Sequence, residues 1–464
     1  MHPLTLAQQH IYGFEGRTAE VIFIAGFSAL LVVAALLMKI SFKHWLIAGA
    51  LFATALTAPV DDLKTHYLAT WMQPVQLQRA SIHLALGVLL SIMMLVQGGA
   101  STQILPAPSV LLLAIGLLAG LLQFVHEDAG SALQSLAFAL ATIPCMIAVV
   151  GRLTRDYDGC LRMIRVLMWV SVIWTFCCSV QFVVNPKLLV NNTGRFWGML
   201  ANAQQAAVFC APLAVAALWL LLNDPHRRTK ILWLALTAIN LLFLAWSGSR
   251  TGALMLVIGS MGVLYARVGQ AVLLLPVAGL VFWALYGLSD SLQIGANLER
   301  FSSIDDTRGW VWKAQIETAL ANPLIGAGWA DAGGSESSYF GSFAGYGIGM
   351  FLLVLLLLGV SVWGCIKLLV ARRSMPRHLQ SLADLYGGFV AMYFAGAAFE
   401  GYILARSAAT SVMFLMFAGI GKFLLDEAKA YRSGHVPAFE EHTPEQAEYA
   451  QYADYGENSR APNR

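Results

Sequence analysis

Three arginines beside small or polar residues are the side chains in this sequence best suited to chemistry. Arg250 stands in the run Ser247–Gly252 (SGSRTG), and Arg300 and Arg308 follow in a later polar segment. An arginine next to a lipid-facing core is costly unless it has an anionic partner. A planar guanidinium suits phosphate or diphosphate oxygens, which it can bind through paired hydrogen bonds. The pattern therefore favours an enzyme that handles a lipid-linked diphosphate.

Each of these arginines also has an ordinary explanation. Arg250 could be an interfacial arginine whose head group reaches the membrane surface while its stem stays in the apolar layer. Arg300 or Arg308 could instead form an ion pair with Asp305 or Asp306, which lie between them in the sequence. Because several arginines are predicted on one side of the membrane, anion binding is favoured over these alternatives.

Two more arginines stand in short polar segments between apolar runs. Arg195 follows Gly194, and together with Asn202 it could close over the same anion. Arg406 follows Glu400 closely and could simply pair with that carboxylate. Arg195 is therefore a further candidate for diphosphate binding, whereas an ion pair is favoured for Arg406.

Glu336 is the carboxylate best suited to act as a base, because it follows the flexible pair Gly333-Gly334. A general base must reach the hydroxyl that it deprotonates, and a mobile turn would let this side chain swing over an acceptor. The alternative is a solvated loop glutamate without a chemical role. If Glu336 is not the base, the next candidates are Asp61, Asp62 and Glu400.

Aromatic side chains in the same region could contact sugar rings. Trp310, Trp312 and Trp329 could stack on a sugar face, or they could be interfacial anchors of the kind that flank membrane spans. Asn202 and Tyr339 are further candidates for contact with a sugar or an acceptor.

The elements that must position these side chains are transmembrane helices. Hydrophobic residues make up 58% of the chain and charged residues only 12%, whereas soluble proteins carry about twice that charge fraction. Runs of about twenty apolar residues predict roughly twelve to thirteen spanning helices in an all-α polytopic membrane protein. The runs lie near 20–40, 45–59, 81–97, 106–124, 133–150, 163–184, 204–222, 230–247, 252–266, 270–289, 345–370, 383–402 and 407–424. The first is too long for a cleavable signal peptide.

The distribution of basic residues predicts the orientation of these helices, because loops rich in Lys and Arg face the cytoplasm. With the N-terminus outside, the internal loops hold the basic groups at 39–44, 152–165, 227–230 and 372–377. The same alternation puts the candidate arginines on the outer face: Arg195, Arg250, Arg300, Arg308 and Arg406.

Three external segments are long, at 59–80, 185–203 and 290–344, and long loops in compact proteins are often functional. In the largest, four apolar residues repeat at helical spacing: Trp312, Ile316, Ala319 and Leu320. They predict an amphipathic helix at the outer interface. It would begin at caps offered by 305–307, carry Arg308 in its first turn and end at Asn322-Pro323.

By composition the chain divides into three parts. Residues 1–184 are N-terminal spanning helices, 185–424 hold most of the candidate residues, and 425–464 form a polar tail that we predict to be disordered and cytoplasmic. The six cysteines lie mostly in apolar runs without metal-ligand spacing, so they are predicted to be packing residues rather than disulfides or metal ligands. Nucleotide- and nucleic-acid-binding motifs are absent from the sequence, so neither a cofactor nor a nucleic-acid partner is predicted.

The segment 195–422 resembles the O-antigen ligase and O-antigen polymerase superfamily of bacterial envelope proteins. The similarity rests on short pieces in a fixed order: Gly194–Gly198 with Asn202, Ser247–Gly252, Thr307–Trp312, Asn322–Gly328, Tyr339 and Tyr346-Gly347. No single piece is specific, and it is their order and topology that carry the likeness.

The resemblance implies a GT-C-like fold in the bacterial inner membrane, with the active face and the loop 290–344 in the periplasm. Such enzymes transfer glycans from undecaprenyl diphosphate to an acceptor hydroxyl, with no nucleotide sugar and no metal. Diphosphate binding is implied for Arg250, Arg300 and Arg308, with Arg195 as an additional candidate. The implied partners are the lipid-linked glycan, the bilayer, and a chain-length regulator and flippase of the same pathway.

One departure from the family pattern favours a polymerase. Ligases of the family carry a His-Asn pair three residues before the loop tyrosine, whereas this chain has Glu336-Ser337 before Tyr339. Polymerases are more varied and often acidic there, so we expect an enzyme that joins lipid-linked repeat units of an O-antigen or exopolysaccharide. A ligase that transfers glycan to lipid A-core or to a protein is the alternative within the family. A transporter of an anionic lipid-linked substrate is the alternative outside it, although transporters hold their charges near the bilayer midplane.

Overall fold

The structure is a computed structural model, and it describes ten separate ranges of the chain and three single positions. These are 42–55, 85, 89, 92, 106–126, 129–184, 189–190, 194–224, 226–264, 308–329, 331–332, 336–404 and 409–433. The predicted spans at 20–40 and 270–289, most of 81–97, and the candidates Asp61, Asp62, Arg300 and Arg406 lie outside the described residues.

The secondary structure of these ranges is helical, apart from one isolated bridge between Val190 and Phe196. We name the helices α1 to α12 in chain order: Phe42–Thr54, Ala107–His126, Ala129–Ala137, Ile143–Leu153, Tyr157–Val184, Ala203–Asn223, Arg227–Ser247, Arg250–Leu264, Gly309–Ala321, Ser338–Ala371, Arg377–Ala397 and Ala409–Arg432. A π-helical turn, Phe138–Thr142, joins α3 to α4, and a 3-10 turn, Arg372–Ser374, follows α10.

Six of these helices are long and apolar enough to cross a membrane, namely α2, α5, α6, α7, α10 and α12. The outer side of α10 exposes large apolar side chains such as Leu352 and Trp363, as expected of a helix that faces lipid. The prediction of an all-α, multi-pass membrane protein is therefore confirmed. The number of spans stays a prediction, because several predicted spans lie outside the described ranges.

Small residues let the helices that carry the site approach closely. A Cβ added at Gly252 of α8 would lie 2.4 Å from the Cβ of Ala207 in α6, and one added at Gly262 would lie 2.4 Å from the Cα of Gly388 in α11. Close backbone contact of this kind is how helices gain packing energy in lipid. The positions of α6, α8 and α11 are thus tightly coupled.

A kink at Gly347 divides α10 and docks the preceding loop. Gly347 has φ 80° and ψ −176°, so the helix hydrogen bonds are interrupted there. The freed N–H of Ile348 donates to the Pro323 carbonyl at 2.8 Å, and the Ala344 carbonyl accepts from Ala327 N–H at 2.8 Å. The kink therefore fixes the loop that follows α9, and through it the position of α9 itself.

Several predicted boundaries are wrong. The span predicted at 383–402 ends as a helix at Ala397, and residues 398–404 leave the helix and pack as an irregular segment. Helix α10 begins at Ser338, seven residues before the predicted start at 345, because the side chain of Ser337 caps its first turn. The tail was predicted to begin at 425, but α12 continues to Arg432, because Ala428 on its inner face is still buried.

The predicted helix in the 290–344 loop is present as α9, but its buried face is not the predicted one. Its N-cap residue is Arg308, and its C-cap is Asn322 as predicted. The residues buried in α9 are Val311, Gln315 and Ala319, whereas Leu320 is 68% exposed. Gln315 on this face approaches Gly341 of α10, and Ala319 packs with Ala332 and Ala344, so Leu320 on the other side is left outward.

Candidate functional site

The Ser-Gly-Ser-Arg turn is formed as predicted, with a left-handed glycine at its centre. Gly248 ends α7 at φ 56° and ψ 32°, a conformation that a residue with a Cβ adopts at a cost. Ser249 then accepts the N–H of Gly252 on its side-chain oxygen at 3.3 Å, which caps α8. Arg250 is the first residue of α8 and is half-exposed, so its guanidinium and the positive end of the helix dipole both favour an anion.

Arg195 is fixed against the same turn. Its Nε donates to the Ser247 carbonyl at 2.7 Å. The neighbouring Phe196 donates its N–H to the Trp246 carbonyl at 3.3 Å and stacks on the Phe243 ring at 4.5 Å. Two arginines that are far apart in the sequence therefore lie at one end of the helix bundle.

Arg308 is held between two glutamates. Its guanidinium lies 2.8 Å from the Glu336 carboxylate and 2.9 Å from the Glu400 carboxylate. It also donates to the backbone carbonyls of Glu336, at 3.0 Å, and of Phe399. The ordinary explanation of Arg308 as an ion-pair residue thus holds in part, but its described partners are glutamates and not the aspartates that precede it.

Glu400 is the buried carboxylate of this group, with 8% of its side chain exposed. Burial raises the pKa of Glu400 to about 7, although the charges of Arg308 and Arg195 oppose the shift and that of Glu336 adds to it. A carboxyl with a near-neutral pKa is suited to proton transfer and is a common mark of a functional site. The sequence suggested Arg406 as its partner; Arg406 lies outside the described residues, and within them Glu400 pairs with Arg308.

Glu336, the predicted base, is the outer carboxylate of the same group. Its side chain is 36% exposed, so it can be reached from outside the bundle, whereas Glu400 lies behind Arg308. The influence of Arg195 on the Glu400 pKa links this group to the Ser247–Gly252 turn. Three of the four predicted arginines thus share one end of the bundle, and the fourth, Arg300, lies outside the described residues.

Four of the five predicted sugar or acceptor contacts have different surroundings. Asn202 caps α6, since its side chain accepts the N–H of Gln205 at 2.8 Å. The Tyr339 hydroxyl donates to the Phe394 carbonyl at 3.0 Å, and the Trp329 ring stacks on Tyr346 at 6.1 Å. Trp310 is 71% exposed, so among these side chains it offers a ligand the most accessible surface. The first three side chains have clear structural roles.

An aromatic wall stands behind Arg308. The ring of Trp312 packs against Phe340 at 5.8 Å and Phe399 at 5.6 Å. This wall joins α9, the start of α10 and the segment that carries Glu400. Trp312 therefore supports the position of Arg308, a role that the sequence pattern did not reveal.

The basic loops lie together at the opposite end of the bundle. Arg372 forms a two-pronged pair with the buried Asp384 at 3.2 and 3.0 Å. The Tyr157 and His378 rings meet at 4.9 Å, which brings the start of α5 to the start of α11. The basic groups predicted at 152–165 and 372–377 therefore lie together, away from the arginine–glutamate group.

An apolar cleft runs beside the segment that carries Glu400. Its walls come from α2, the π-helical turn, α4, α12 and the pair Ile403-Leu404. Its few polar groups include Gln123, whose amide donates to the Tyr346 hydroxyl at 3.0 Å. The cleft is suited to an apolar chain rather than to a sugar.

No protein-family model matches this chain, and no curated protein matches it either. Functional inference therefore depends on the side chains and their geometry.

Proposed function

We propose that this protein is a polysaccharide polymerase that joins undecaprenyl-diphosphate-linked oligosaccharide repeat units. The observation that carries the proposal is the convergence of Arg195, Arg250 and Arg308 with two glutamates at one end of a membrane-spanning bundle. Arginines stabilise a diphosphate, and carboxylates can accept a proton. Those are the two demands of glycosyl transfer from a diphosphate donor.

In the proposed reaction an acceptor sugar hydroxyl attacks the anomeric carbon of the donor glycan. The C–O bond to the diphosphate breaks, its electron pair stays on the diphosphate, and the anomeric centre is inverted. Glu336 takes the hydroxyl proton, since its carboxylate is the more exposed of the two. The arginines stabilise the charge that develops on the leaving diphosphate, an effect that is largest in the transition state.

The charge distribution supports a periplasmic active face. Basic loops face the cytoplasm in bacterial inner-membrane proteins, and the basic groups near Arg152 and Arg372 lie at the end of the bundle opposite Arg308. The position of the site at the helix ends also favours an enzyme over a transporter, because transporters bind their substrates near the bilayer midplane.

The apolar cleft supports a donor that is attached to a lipid. It adjoins Ile403 and Leu404, which follow Glu400 in the same irregular segment. An isoprenoid chain gains stabilisation of about 0.8 kcal/mol for each buried CH₂ group. The apolar lining of this cleft therefore agrees with a lipid-linked donor whose diphosphate meets the arginines.

Glycan analysis of a deletion strain tests the proposal. We expect single repeat units on the lipid-linked and surface glycan, and long chains restored by the wild-type gene but not by Arg250→Lys. Lysine keeps the charge but loses the paired hydrogen bonds of the guanidinium. Long lipid-linked chains that stay unattached would instead identify a ligase, and an unchanged glycan would refute both enzymes.

The base is tested by Glu336→Gln. Glutamine is nearly isosteric and cannot take the proton, and general-base catalysis contributes typically about 10²–10⁴-fold in rate. We therefore expect most polymer formation to be lost at matched protein level, with donor binding retained. Chain formation at the wild-type rate would show that Glu336 is not the base and would turn attention to Glu400.

A further inference from the structure

The backbone around Glu400 is tied to the start of α10. The Ser338 hydroxyl donates to the Glu400 carbonyl at 2.7 Å. The Ser338 hydroxyl oxygen in turn accepts the N–H of Ile403 at 3.3 Å. Ser338 is itself fully buried at the start of α10. The backbone that carries Glu400 therefore stays in place if Arg308 changes its partners.

Both terminal nitrogens of Arg308 are already engaged by the two glutamates. Its described partners already include two carboxylate oxygens and two backbone carbonyls. A diphosphate carries more negative charge than one carboxylate, and two of its oxygens can accept paired hydrogen bonds from a guanidinium. A diphosphate that binds the edge formed by the two terminal nitrogens of Arg308 therefore displaces at least one of the two glutamates.

We propose that Glu400 is a positioning residue that holds Arg308 in the empty site, releases it to the donor diphosphate, and takes up one proton as it does so. The proposal rests on the diphosphate role of Arg308 given above. The hydrogen bond from Arg308 to Glu400 breaks, a new one forms to a diphosphate oxygen, and a proton from solvent neutralises the Glu400 carboxylate. A buried carboxylate that has lost its cation is otherwise strongly destabilising.

The charges around Glu400 agree with this exchange. Arg308 from α9 and Arg195 from the loop before α6 face it as cations, Glu336 faces it as an anion, and Tyr402 lies near it in its own segment. The pKa of Glu400 is already raised to about 7 with Arg308 in place. Because Arg308 is the strongest influence that lowers it, the pKa of Glu400 rises further when Arg308 leaves.

The direction of the pH effect follows from this rise. Below about pH 6 Glu400 is protonated in both states, so binding takes up no proton there. Above pH 7 the empty site holds an ionised Glu400 and the occupied site a neutral one, so affinity falls as pH rises. One proton taken up corresponds to at most about tenfold in affinity per pH unit.

The test is calorimetric titration of the full chain with inorganic pyrophosphate at pH 8, in two buffers with different ionisation enthalpies. The difference between the buffers gives the number of protons taken up. We expect wild type to take up more than about half a proton beyond Glu400→Gln, and its affinity to fall more steeply with pH. Protonation of pyrophosphate itself is common to both proteins and cancels.

Glu336→Gln is the matched control, because it removes the other carboxylate from the same arginine. Glu336→Gln should keep the proton uptake of wild type. Two results would overturn the proposal while leaving the diphosphate site in place: loss of proton uptake in Glu336→Gln, or equal uptake in wild type and Glu400→Gln. If wild type binds no pyrophosphate at any pH, the diphosphate site fails as well. If Glu400→Gln does not fold, the infrared difference spectrum of the wild-type protein tests the exchange. A band from a protonated carboxyl group must appear when pyrophosphate is added, and the absence of this band refutes the exchange.

Discussion

Replacement of Arg308 by alanine is expected to abolish polymer formation. Removal of one fixed donor to a developing anion costs typically about 10²–10³-fold in rate, and Arg308 also holds both candidate carboxylates in place. Arg308→Lys should be nearly as impaired, because a single ammonium cannot reproduce the two-sided contact. Chain-length analysis of surface glycan in the complemented deletion strain measures the effect. Arg373→Ala, an exposed arginine at the opposite end of the bundle, is the control and should retain activity.

Loss of folding must be separated from loss of chemistry in this variant. Breaking a buried ion pair costs about 3–5 kcal/mol when the remaining charge stays ionised, and less when Glu400 takes up a proton. The stability loss of Arg308→Ala should therefore grow from pH 6 to pH 8. Adding Glu400→Gln should remove this pH dependence without restoring activity. A double variant that regains polymer formation would show that Arg308 has only a structural role.

Gly347→Ala should disrupt the support of the site from a distance. A Cβ at Gly347 would lie 2.1 Å from the Leu324 carbonyl oxygen, and φ of 80° is unfavourable for alanine. The loop that follows α9 could no longer dock on the kink, so α9 would lose its position and Arg308 its partners. We expect a loss of at least about 3 kcal/mol in stability together with loss of activity, measured by thermal unfolding in detergent and by glycan analysis.

Gly349→Ala is the matched control for the kink. It lies two residues further along α10, where an added Cβ meets nothing within 4 Å. Alanine is favoured over glycine in a helix by up to about 1 kcal/mol, so this variant should be as stable as wild type or slightly more stable. Equal stability of the two variants would mean that the kink does not dock the loop.

Local signals in the sequence determined the class of protein and most of its elements. Long apolar runs are sufficient for spanning helices, because in lipid every backbone group must be bonded within its own segment. The turn around Gly248 and the end of α9 at Asn322 were also predictable, since both depend on residues next to each other in the chain. The candidate arginines could also be identified from the sequence, because an arginine next to an apolar run needs an anionic partner.

Tertiary structure alone decided which partner each charge has. Arg308 and Glu400 are 92 residues apart, and the sequence offered nearer partners for both. The raised pKa of Glu400 is caused mainly by burial, which depends on Arg308 and the start of α10 packing against the segment that carries it. Ile316 and Leu320 of α9 are left exposed because the face with Gln315 and Ala319 packs against α10. The sequence thus determined what is local and hydrophobic, whereas pairing and burial across distant helices arose only from packing.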